Sequence, residues 1–130
     1  MKDKKPKKIN QIEKPKKLSR SKKVKRIILE KGYSGILNNQ KWHNIFEIID
    51  KRHIVFKIKL LINSDANYCD FIRELNETSM LIDDSGKFIE FLEIDYIEIN
   101  KNDEILDFLE NKKTEYFMDE NIIKILGYNK

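Results

Sequence analysis

The spacing of apolar residues changes once in the middle of the chain, and that change constrains the fold more than any other feature. In the stretch ILNNQKWHNIFEII, Trp42, Ile45, Phe46 and Ile49 recur at the three- and four-residue spacing of a helix face. From His53 to Asn63 the period drops to two: Phe56, Ile58, Leu60 and Ile62 alternate with Val55, Lys57, Lys59 and Leu61. That is the repeat of a strand with one buried face. A helix docked on a half-buried sheet is the simplest structure satisfying both, so Trp42 is expected in the core rather than in a site.

The flanking segments extend this to an α+β fold, a small antiparallel sheet packed with helices and preceded by a flexible basic N-terminal arm. Residues 1–18, MKDKKPKKINQIEKPKKL, hold only Ile9, Ile12 and Leu18 as isolated apolar groups, too few to offset the entropy of ordering. They form the arm, and residues 19–130 form a single domain. Ser19 is placed to cap a helix burying Val24, Ile27 and Ile28, which ends at Gly32. After the Tyr33-Ser34-Gly35 turn, Asn38 or Asn39 caps the helix running from Gln40 to about Lys51. Asn63 to Asn67 reads as a loop, while Tyr68 to Leu75 fits a short helix or irregular packing equally. Ser79 to Asp83 and Lys87 to Asn100 flank the Asp84-Ser85-Gly86 turn and read as two antiparallel strands. Asp103 is the expected N-cap of a helix over Glu104 to Asn111. TEYFM and IIKIL read as a terminal hairpin, with a helical turn over Ile122 to Leu126 as the alternative.

The net charge of +4 conceals two opposite halves. Met1 to Lys31 carries 14 Lys and Arg against Asp3, Glu13 and Glu30, a balance of +11, and the remainder stands at −7. Between Asp65 and Glu120, 17 acidic residues face five basic ones. A basic arm thus precedes an acidic body. No apolar run approaches the roughly 20 residues of a membrane span. The N-terminus lacks the apolar segment of a signal peptide, and Cys69 has no partner for an internal disulfide, so a cytoplasmic location is expected.

Catalytic chemistry finds little support in the residue types. His43, His53 and Cys69 lack the paired spacings of a zinc site, and no Cys-His signature surrounds Cys69, which reads as a buried thiol. The four glycines are scattered, without a phosphate-binding loop. Asp83, Asp84, Glu90, Glu93 and Asp95 could be taken for a magnesium-binding nuclease cluster, but their alternation fits a solvated sheet face. No enzyme activity and no cofactor are expected.

ILNNQKW, FLEIDYIEI and the closing EILDFLENKKTEYFMDENIIKILGY together resemble an uncharacterised bacterial group, domain of unknown function family 6678. The carrying residues are Asn38, Asn39, Lys41 and Trp42; Ile94 to Ile97; and Gly127 with Tyr128. Tyr96 stands where the family often has Trp. The resemblance spans roughly Ile36 to Tyr128 and implies the domain boundary and the terminal hairpin. It transfers no catalytic residue.

A small acidic domain of this kind suggests a bacterial immunity-type protein that occludes a cognate toxin, with a basic nuclease as the expected partner. The expected contacts are exposed acids, Glu93, Asp95 and Glu98 on the strands and Asp103, Glu104, Asp107 and Glu110 on the helix, with Tyr96 and Tyr116 as aromatic anchors. The alternative is a nucleic-acid-binding protein using the basic segment over residues 1–31. A structural or adaptor role is the third reading.

Overall fold

The computed structural model describes residues 20–76 and 79–130. The basic arm over residues 1–18 and the Ser19 cap lie outside them. Helix α1 (Arg20–Lys31) buries Val24 and exposes Lys22, Lys23, Lys25 and Arg26. It stops where Gly32 adopts a positive φ of 69°, a backbone state that costs glycine nothing. Helix α2 (Asn39–Lys51) is capped by Asn38, whose side chain accepts from Lys41 N at 2.8 Å. Its buried residues are Trp42, Ile45, Phe46 and Ile49, the stripe visible in the sequence.

After α2 the chain builds the central sheet from β2 (Phe56–Leu60), β3 (Asn67–Cys69), β7 (Ile94–Asn100), β8 (Phe117–Asp119) and β9 (Ile122–Leu126), antiparallel in the order β3-β2-β7-β9-β8. A second, three-stranded sheet holds β4 (Glu74–Leu75), β5 (Met80–Ile82) and β6 (Phe88–Glu90). A two-stranded ribbon pairs β1 (Ser34–Gly35) with β10 (Tyr128–Asn129), joining the α1–α2 connection to the end of the chain. The α+β architecture is the expected one, and the terminal hairpin is β8–β9 rather than a helical turn. The undecided Tyr68 to Leu75 segment is not a helix: its ends belong to β3 and β4, and residues 70–73 between them pack irregularly.

The expectation of one strand from Lys87 to Asn100 is corrected. A 3-10 turn over Phe91–Glu93 breaks it, so β6 and β7 belong to different sheets. The turn is closed by Glu93, whose carboxylate accepts from Glu90 N at 2.9 Å, and it buries the Phe91 ring beside Phe46, centroids 5.5 Å apart. Downstream, Lys59 pairs with Tyr96 but Leu60 with Ile94, which leaves Asp95 as the extra residue of a bulge.

One face of the central sheet carries Phe56, Ile58, Leu60, Ile97, Ile99, Ile123 and Ile125, all buried in a core that also receives the stripe of α2 and Ile105 and Leu109 of α3 (Asp103–Asn111). Phe46 sits at its centre, stacked on Trp42 at 5.5 Å and tilted against Phe56 at 5.7 Å. Such ring pairs add about 1 kcal/mol each beyond area burial. The opposite face carries the alternate residues, half-buried or exposed.

Candidate interaction surface

Helix α3 is built to show carboxylates. Asn102, rather than the expected Asp103, is its N-cap, with the side chain accepting from Ile105 N at 3.0 Å. Asp103 and Glu104 therefore fall in the first turn, where their charge complements the partial positive charge of the helix start. With Ile105 and Leu109 turned to the core, Asp103, Glu104, Asp107 and Glu110 are all exposed along the outer side. Two of them are tied to neighbours. Glu104 pairs with Arg52 at 2.6 Å across the α2–α3 groove, and Glu110 accepts from the Tyr116 hydroxyl at 2.6 Å. That bond to Glu110 holds the Tyr116 phenol above its ordinary pKa. Met118, 42% exposed on the edge strand β8, pairs with buried Ile123 and so shares the helix side of the sheet. The groove itself is a cavity of about 570 Å³, with Ile48 and Phe108 among its lining and Glu47, Asp50, Arg52 and Lys112 at its charged margin.

The strand acids behave differently from the sequence expectation of exposed contacts. Glu93 is 1% and Asp95 3% exposed. Glu93 Oε1 faces Arg20 Nε at 2.9 Å as an ion pair without hydrogen-bond geometry, and Arg20 also donates to the Phe88 carbonyl. Asp95 Oδ2 accepts from Lys59 Nζ at 3.2 Å and Lys130 Nζ at 2.7 Å. Both carboxylates are thus internal ties, one anchoring α1 and the other anchoring the chain end. Burying them without those cations would cost several kcal/mol each. Glu98 remains half-buried on the outer face, in register between Lys57 and Lys124. Tyr96 is half-buried beside it with Lys124 Nζ 4.0 Å over its ring. Desolvation first, then Glu98 and Asp95, raise its phenol pKa.

Of the other carboxylates in the nuclease-like cluster, Asp83 closes its own turn and Asp84 reaches the backbone of Asp70. Asp83 Oδ1 accepts from Ser85 N, Ser85 Oγ and Lys87 N at 2.7 to 2.9 Å, and Asp84 Oδ2 accepts from Asp70 N at 2.8 Å. Among the described residues no group of three or more His, Cys, Asp or Glu side chains is arranged to hold a metal ion. Cys69 is buried, and burial, opposed by backbone hydrogen bonds but helped by Asp84 and Asp83, pushes its thiol up to about 11. His43 Nδ1 lies 3.2 Å from the Asn76 carbonyl, a contact linking α2 to the end of β4.

One grouping escaped the sequence reading. Across the outer face of the central sheet, Tyr68, Lys57, Glu98, Lys124 and Phe117 lie in one row, each paired with the next. Its signal was the Lys57 and Lys59 alternation, but the neighbours come from strands far apart in sequence.

No helix among the described residues is long and apolar enough to cross a membrane. No curated protein and no solved structure matches the chain. The model of a family of unknown function, DUF6678, matches residues 24–130, from the buried Val24 of α1 through the hairpin to the last residue, and the chain belongs to that family.

Proposed function

We propose that this protein is a non-enzymatic, immunity-type inhibitor that occludes a basic toxin, a nuclease by its charge, through α3 and the adjoining start of the terminal hairpin. The observation that carries the reading is the outer side of α3. Asp103, Glu104, Asp107 and Glu110 stand exposed there, with Tyr116 hydrogen-bonded to the last of them and Met118 partly exposed on the same side of the sheet. A phosphate-gripping enzyme presents the opposite charge, so its active-site cleft and this helix attract each other before contact. Tyr116 and Met118 supply the amphipathic and apolar groups that such contacts use as anchors. The contact set is thereby narrowed from the sequence expectation. Glu93 and Asp95 are spent on internal ion pairs, and Tyr96 and Glu98 lie among lysines on the other face of the sheet.

The test is growth of cells producing candidate nuclease toxins taken from the genes around this one, with and without the protein. Rescue by the parent chain and its loss on Asp103→Lys, Asp107→Lys and Glu110→Lys together supports the proposal. Absence of rescue, or full rescue by that triple variant, contradicts it. The alternative, nucleic-acid binding through residues 1–31, draws support from the exposed Lys22, Lys23, Lys25, Arg26 and Lys31 of α1. It predicts that salt-sensitive binding to nucleic acid weakens steeply when residues 1–18, with their eight lysines, are deleted.

A further inference from the structure

The outer face of the central sheet has no part in the inhibitor reading, and its chemistry is distinct from that of α3. In the row Tyr68, Lys57, Glu98, Lys124, Phe117, the two end residues are rings, 68% and 56% exposed. Four strand spacings of about 4.8 Å separate them, or roughly 19 Å. The adjacent row, Lys59, Tyr96 and Leu126, places a third ring between the two. Each inner lysine is held near a ring: Lys57 Nζ is 5.0 Å from the Tyr68 centroid and Lys124 Nζ 4.0 Å from that of Tyr96.

Lys57, Lys59, Lys124 and Lys130 outnumber Glu98, Asp119 and the buried Asp95 here, although the chain beyond Lys31 is net −7. This is a locally positive, aromatic face on a negative body. The chain's own first 19 residues do not complement it, since they hold eight lysines against two acids and no aromatic ring. A second acidic body would match the charge but would leave the rings without flat partners.

We infer that this sheet face binds single-stranded nucleic acid. Bases stack on Tyr68 and Phe117, with Tyr96 between, while Lys57 and Lys124 turn from the rings to the phosphates. Rings have no base preference when they stack, so binding is tolerant of sequence, and a sheet of this width fits about four nucleotides, the lower end for such platforms. Duplexes, whose bases are already stacked and covered, are poorer ligands for this face. The inference stands whether or not the inhibitor reading holds, because the residues differ.

Fluorescence anisotropy of labelled oligouridylate and oligothymidylate, 15 nucleotides long, tests it with the full chain. The alanine variant of both Tyr68 and Phe117 keeps every charge, so it separates the face from the basic N-terminal segment. Expected are binding at low salt, preference for single strands over a duplex of equal length, and at least about tenfold weaker binding by the double variant. Lys57→Gln and Lys124→Gln should each flatten the dependence of log affinity on log salt by about 0.7. Unchanged Trp42 emission in each variant shows that the fold is retained. Tighter binding of uridylate assigns RNA as the ligand, and equal binding assigns single strands of either kind. The inference is overturned if the double variant binds like the parent, if duplex binds as tightly as single strand, if nothing binds at low salt, or if Phe117→Ala abolishes self-association instead.

Discussion

Gly127→Ala should be among the most damaging single-methyl additions possible in this chain, although nothing in the backbone angles of Gly127 demands glycine. A Cβ there would lie 2.3 Å from the Ile94 carbonyl oxygen, 3.3 Å from Trp42 Cζ2 and 3.4 Å from the Asp95 carbonyl oxygen. An ordinary carbon–oxygen contact is about 3.3 Å, so the two backbones must separate by about 1 Å. They cannot do so freely. Gly127 N donates to Asp95 O at 2.8 Å and Gly127 O accepts from Ile36 N at 2.9 Å, pinning the residue from both sides. Weakening those two bonds costs about 1 kcal/mol each, and crowding Trp42 adds about 1 to 3 kcal/mol. The sum is about 3 to 5 kcal/mol, a large share of the stability of a small domain. For a chain of this size that lowers the melting temperature by about 10 °C or more. Urea denaturation followed by fluorescence reads the change directly, because Trp42 is the single tryptophan and lies against the substituted position. A loss below about 0.5 kcal/mol would refute the claim that the Gly-Tyr ending is held by close backbone approach.

Three further outcomes follow from local chemistry. Asn102→Ala should destabilise the fold by about 1 kcal/mol, as loss of an N-cap does, whereas Asp103→Ala should cost less; equilibrium unfolding of both would show whether the cap is placed correctly. The buried Cys69 thiol should resist a thiol reagent at pH 8 in the native protein and react at once in urea. With the native pKa pushed up to about 11, the unfolded chain releases its proton first as pH rises past 9, so this group's contribution to stability falls between 9 and 11. Alanine at Cys69 should remove that part of the alkaline loss. Tyr116→Ala should destabilise the fold by about 1 to 2 kcal/mol, since the half-buried ring packs against the core, and should speed toxin dissociation about thirtyfold if Tyr116 is worth about 2 kcal/mol at the interface.

What the sequence disclosed was what local periodicity can carry. The α2 stripe and the alternations from Phe56 to Leu60 and along β9 each reflect one buried face repeating at a fixed interval; the first strand is shorter than the span from His53 to Asn63, because the chain turns after Leu60 and leaves Ile62 exposed. The 3-10 turn was hidden because Phe91, Leu92 and Ile94 are apolar in both strand phases, so the break leaves no gap in the pattern. The fate of Glu93 and Asp95 was hidden for another reason. Their cations, Arg20, Lys59 and Lys130, lie between 35 and 73 residues away and meet the carboxylates only after the sheet and the chain end are assembled. Acids that alternate along a strand look solvated until such partners are known. The α3 acids could be placed because helical spacing alone turns them away from Ile105 and Leu109. The aromatic and lysine row was out of reach of any local pattern, since it draws one residue from each of five strands.

The measurement closest to the central claim is the association rate of this protein with a basic nuclease toxin that it protects cells against, by stopped-flow mixing across a range of salt. Exposed carboxylates guide encounter through a field screened beyond about 10 Å at 0.1 M ionic strength. Reversal of Asp103, Asp107 and Glu110 to Lys should slow association at least about tenfold at low salt and weaken its salt dependence, with dissociation changed far less. Reversal of Glu98, on the opposite face of the sheet, should leave the rate near that of the parent. Equal rates for parent and α3 variant at low salt would contradict the account.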